Sequence, residues 1–153
     1  MAKLTQLGIA VAFLGLVIAI IGLFPSLTGV EASPGIGILQ ITVILVGFSM
    51  LVLGAFIYVK SAYYPGVKHN LAQEICIRLS MTGLVIAAAS GWADVLGFGS
   101  HPPGTNQRPF LGILQTAGVV GGFVIASLGV VLFALLGDSH GPPDDGEPPS
   151  DEE

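Results

Sequence analysis

The chain of 153 residues has little charge: only 10% of its residues are Asp, Glu, Lys or Arg, where an ordinary soluble domain carries about 25%. Such a chain has too few ionised groups to cover a water-facing surface, and its mean hydropathy of +0.84 points to a bilayer. The lone Cys76 excludes an intramolecular disulfide framework, a four-thiolate metal site and a two-cysteine redox relay. Basic residues are scarce as well, five against ten acids. No patch is available to neutralise phosphates, so nucleic acid is not an expected partner.

What is abundant is continuous apolar sequence. Four runs, at about 4–24, 36–59, 75–96 and 110–136, reach the roughly 20 residues that a helix needs to cross a hydrocarbon core of about 30 Å. Lipid offers the backbone no hydrogen bonds, so a span must be a helix or part of a closed barrel. Barrel strands alternate between polar and apolar residues, and these runs do not. The predicted fold is an all-α integral membrane four-helix bundle over residues 1–136. Breakers fall between the runs: Pro25 and Pro34, then Pro65 and Gly66, then Pro102, Pro103, Gly104 and Pro109. The first run is longer than the 7–15 residues of a signal-peptide core, so it is read as a span.

Residues 137–153 are a different kind of sequence. Seven of the ten acids lie in the last sixteen residues, together with four prolines, and such a tail buries too little apolar surface to fold alone. It is expected to be disordered, and a basic partner is the chemistry that would suit it. Lys3, Lys60, Lys68 and Arg78 fall on one side of the predicted topology and Arg108 on the other. The positive-inside bias then puts both termini in the cytoplasm of a cell-membrane protein.

Two regularities run through the spans. Gly37-Ile38-Leu39-Gln40 recurs as Gly112-Ile113-Leu114-Gln115, and Gly47-Phe48 as Gly122-Phe123, at an offset of 75; Gly15-Leu16-Val17-Ile18-Ala19 recurs as Gly83-Leu84-Val85-Ile86-Ala87 at an offset of 68. This is the pattern of two helical hairpins in parallel orientation, related by a pseudo-two-fold axis along the membrane normal. Small residues also recur every seven positions: Gly8, Gly15 and Gly22; Gly47 and Gly54; Gly83 and Ser90; Gly122 and Gly129, with Gly118 completing a GxxxG pair. Glycine costs about 1 kcal/mol against alanine in a helix interior, so its repetition implies close helix approach on a left-handed seam.

Residues that might carry chemistry are few. Gln40 and Gln115 occupy matching positions near the starts of the second and fourth spans and are candidates for a paired polar site. Asp94 is the candidate proton or cation site, since a carboxylate within a span is functional by default; its position two residues after Trp92 also fits a hydrated anchor at the interface. Tyr58, Tyr63 and Tyr64 are expected to anchor the opposite interface. Glu74 and Arg78 have the i, i+4 spacing of a helix-supporting pair. No histidine lies within a span, which removes axial haem ligands. No grouping of His, Cys, Asp or Glu has the spacing of a metal site, and the span serines have no adjacent base. Neither a catalytic residue nor a cofactor is expected.

The four-span layout is shared with small multidrug exporters, disulfide-forming quinone reductases and claudin-like tetraspans. The exporters' acid midway along the first span, the reductases' paired cysteines and the tetraspan Trp-Cys-Cys signature are all absent. None of those functions is carried over. The expected function is a non-catalytic structural or accessory subunit, with the lipid bilayer and other membrane subunits or further copies of itself as partners. The alternative is a small oligomeric channel or solute transporter with a Gln-lined site.

Overall fold

Helix formation follows the apolar runs because only intra-segment hydrogen bonding satisfies the backbone in lipid. The computed structural model describes residues 2–29, 37–66, 70–97 and 112–137. Within them lie α1 (Ala2–Leu23), α2 (Ile38–Tyr63), α3 (Leu71–Gly91) and α4 (Ile113–Leu135), with a short 3-10 turn over Pro25–Thr28. All four α-helices are long and apolar enough to cross a membrane, and no strand is present among the described residues. The acidic residues after Gly137, the three histidines, Lys68 and Arg108 lie outside the described residues.

Three of the helices fall within a few residues of the predicted spans, whereas α3 is displaced toward the N-terminus, beginning at Leu71 and ending at Gly91. Its start is set by Asn70, whose side chain accepts from the Gln73 backbone N–H at 2.8 Å; this N-cap satisfies a donor that the helix itself leaves orphaned. Its end is a run of turns over 92–97 closed by Gly97 at φ +82, a conformation that glycine adopts without steric cost.

The chain folds as two hairpins, α1 on α2 and α3 on α4, and each has a seam where backbone meets backbone. A Cβ placed on Gly47 would lie 2.8 Å from both Ala19 Cα and Gly15 O; one on Gly122 would lie 2.5 Å from Gly83 O and 2.6 Å from Ala87 N. The offsets of 68 and 75 carry the first set of residues onto the second. They do so again one heptad on, where Gly54 faces Ala12 (2.7 Å to Cα) and Gly129 faces Ser80 (2.9 Å to N). At the last rung the small residue changes sides: Gly22 opposes Val43 on α2, while Gly118 on α4 opposes Ser90. Gly8, similarly, would meet Tyr58 N at 2.6 Å, and the corresponding pair in the second hairpin, Cys76 and Phe133, shares one buried cluster.

The hairpins meet along α2 through side chains. Phe48 and Phe123, equivalent under the offset of 75, stack with ring centroids 4.0 Å apart. Phe56 and Phe133 meet edge to face at 5.2 Å. Contacts between α2 and α4 therefore advance together along both helices, which run parallel, as two hairpins in the same orientation require. Toward the starts of α2 and α4, Ile41 and Leu45 pack on Ala87 and Phe123. Toward their finishes, Val59, Tyr64, Cys76 and Phe133 form the second cluster.

Candidate functional site

Polar side chains gather at the two ends of the bundle. At the end where α3 finishes and α4 begins, Gln115 is held by two bonds. Its Oε1 accepts from the Gly112 backbone N–H at 2.8 Å, closing the first turn of α4 where backbone donors have no intrahelical partner. Its Nε2 donates to Asp94 Oδ1 at 2.7 Å, tying the turn after α3 to the start of α4. Asp94 and Gln115 are both half-buried. The structure brings these two candidates together; Gln40, half-buried at the equivalent position on α2, bonds to neither of them. The position equivalent to Asp94 in the first hairpin is Ser26, so among the described residues only Gln115 of the matched pair meets a carboxylate.

A carboxylate and an amide, with the amide oxygen committed to the backbone, are equipped to join two helix ends. Among the described residues no three His, Cys, Asp or Glu side chains group together. Glu74 and Arg78 form the expected pair at 2.5 Å with both side chains exposed, a geometry worth only tenths of a kcal/mol.

Removing the Gln115 side-chain bonds by Gln115→Leu is expected to cost about 1 kcal/mol, between the ~0.6 average for hydrogen bonds between membrane helices and the ~1.5–3 for bonds to charged groups. Asp94→Asn retains an oxygen that accepts from Gln115, so it is expected to keep this bond and to lose less thermal stability in detergent than Gln115→Leu. A larger loss from Asp94→Asn than from Gln115→Leu would assign the carboxylate charge a role beyond this bond.

The opposite end carries a group that the sequence analysis missed. Tyr64 is buried rather than interfacial, and its hydroxyl donates to Ala134 O at 2.7 Å. Asn70 Nδ2 donates to Leu136 O at 3.0 Å. The carbonyls at the finish of α4, orphaned like those of any helix end, are thus taken up by the connection between the hairpins. Gln73, 2% exposed, lies beside them with its Nε2 buried and without an acceptor among the described residues. Tyr63, by contrast, is exposed and meets Tyr58 edge to face at 6.4 Å, as an interfacial anchor would. The signal for this end was Asn70-Leu71-Ala72-Gln73, an N-cap residue with Gln three positions on. Within the spans Ser80 Oγ donates to Ala126 O at 2.7 Å, a helix-to-helix bond across the α3 and α4 seam.

Comparison with family models, with curated proteins and with solved structures finds no match to this chain.

Proposed function

We propose that the protein is a non-catalytic structural or accessory subunit, packed within a larger membrane assembly or with further copies of itself. The observation that carries this reading is where its membrane-embedded polar groups are used. Ser80, Gln115 and Tyr64 each join one helix to another, while the outward faces carry apolar side chains such as Phe13, Leu39, Val85, Ile113 and Leu114. A scaffold needs this division of labour, whereas an aqueous path needs a continuous polar face. Glycine seams serve the same role, since in lipid the drive for association is close packing. The sparse cations favour a cell-membrane topology with both termini cytoplasmic, which would present the acidic tail to a basic partner.

The second reading, a small oligomeric channel or solute transporter with a Gln-lined site, is favoured by the parallel repetition of the hairpins, an architecture that some transporters share. Purification from native membranes in a mild detergent, followed by native mass determination, separates the two. An accessory subunit is expected to bring a stoichiometric hydrophobic partner with it, and truncation after Gly137 to weaken any basic partner without altering the bundle. A self-sufficient oligomer whose solute flux in liposomes falls on Gln40→Leu would overturn the subunit reading.

A further inference from the structure

The finish of α4 meets the start of α3 around one buried amide. Gln73, three residues after the N-cap Asn70, is 2% exposed, and its Nε2 is enclosed without an acceptor among the described residues. An amide donor left unpaired in a buried site forfeits its hydration without return. Two carbonyls at the finish of α4 are already engaged, Ala134 O by the Tyr64 hydroxyl and Leu136 O by Asn70 Nδ2. Gly137 then crosses the amide so closely that a Cβ there would overlap both Gln73 Nε2 and the Tyr64 ring, and Asp138 is the next residue of the sequence. We propose that the Gln73 amide, at the start of α3, is the receptor for the Asp138 carboxylate and so fastens the acidic tail to the foot of the second hairpin.

Enclosure and charge select this occupant. Tyr64 and Gly137 cover Nε2, so its acceptor comes from the chain that crosses it rather than from a solute or a lipid headgroup. Consecutive Cα atoms lie about 3.8 Å apart, which leaves the Asp138 side chain long enough to turn back onto the amide. A carboxylate just beyond a helix C-terminus is repelled by the carbonyl end of the dipole, and α4 has no basic residue in its last turn to offset this. The start of α3 supplies the opposite, because its first backbone N–H groups lack intrahelical acceptors and its dipole favours an anion. Ser139, the following residue, offers only a neutral oxygen. With Asp138 held, the acids from Asp144 onward remain for a basic partner.

Cys76 lies one turn along α3 from Gln73 and shares the buried cluster of Tyr64, so its labelling by a thiol reagent in detergent follows the opening of this end. Asp138→Ala is expected to raise the labelling rate about tenfold, the size of one hydrogen bond to a charged group. Ser139→Ala and Asp144→Ala are expected to stay within roughly twofold of the parent. In a Gln73→Met background, which removes the donor at similar side-chain length, Asp138→Ala is expected to change the rate by no more than roughly twofold; Gln73→Leu takes its place should Gln73→Met not fold. A chain ending at Gly137 carries its terminal carboxylate beside the same amide and is expected to label like the parent. Equal rates for Asp138→Ala and the parent would overturn the proposal. So would an Asp138→Ala effect of the same size with and without Gln73, or an equal effect of Asp144→Ala, which would make the charge of the tail responsible rather than this contact.

Discussion

Leucine at position 122 is expected to unmake the second hairpin, whereas leucine at the neighbouring position 121 is expected to be tolerated. At Gly122 the added Cβ alone would sit 2.5 Å from Gly83 O and 2.6 Å from Ala87 N. Those atoms belong to the backbone of α3 and cannot rotate away as a side chain would. Relief requires the two helices to separate along the seam, which forfeits the adjoining contacts of Gly129 with Ser80 and of Ala126 with Gly83. Overpacking costs about 1–3 kcal/mol where side chains can rearrange, so a clash fixed in backbone is expected to cost about 3 kcal/mol or more. At Gly121 nothing lies within 4 Å of the added atom. Leucine there gains up to about 0.8 kcal/mol of helix propensity and faces lipid. Gly47→Leu is expected to do to the first hairpin what Gly122→Leu does to the second. Thermal or denaturant unfolding in detergent checks all three; equal midpoints for the 121 and 122 variants would show that the seam contributes no stability.

That contrast also marks what a sequence can and cannot convey. The heptad of small residues identified Gly122 and Gly129 as a recurring set, because spacing along one helix is visible in one dimension. It left open which helix each set would face. The repeat, read as two helical hairpins, already paired α1 with α2 and α3 with α4; that these glycine sets form the seams, with Gly15 and Gly47, and separately Gly83 and Gly122, sharing a rung, emerges only in the structure. The repeat offsets of 68 and 75 contained that information implicitly, since equivalent residues make equivalent contacts in both hairpins. The matched Gln40 and Gln115 were visible for the same reason, but their difference was not, because Asp94 reaches Gln115 through a turn whose course depends on Gly97 at positive φ. Tyr64 was misjudged because an aromatic residue near a span end has two uses, anchoring in the interface or filling a gap between helices. Hydropathy does not distinguish them; the location of Ala134 O does.

The joint between the hairpins, unlike the seams within them, depends on a few large side chains, and Phe133→Ala is expected to loosen it while leaving the helices intact. Phe133 is 1% exposed and touches the cluster of Val59, Tyr64 and Cys76, with Phe56 at 5.2 Å and Tyr64 at 6.4 Å between ring centroids. Truncating a buried phenylalanine costs about 3–5 kcal/mol in well-packed cores. Here the loss falls on the last rung of the α3–α4 seam, where Phe133 opposes Cys76, and on the contact of Phe133 with Phe56 of α2, while the glycine rungs at Gly122 and Gly129 are unchanged. Cys76, buried at 3% exposure in the same cluster and the only cysteine of the chain, reports that opening through its reaction with a thiol reagent. If labelling proceeds through local opening, a cost of about 3 kcal/mol raises its rate roughly a hundredfold. Tyr64→Phe removes only the bond to Ala134 O and, at about 1 kcal/mol, is expected to raise the rate roughly fivefold. Helix content should stay constant in both variants, because the glycine seams are untouched. Unchanged labelling of Cys76 in the Phe133→Ala variant, or a loss of helix content that accompanies it, would mean that the hairpins are not independent bodies joined by side chains but one cooperative unit.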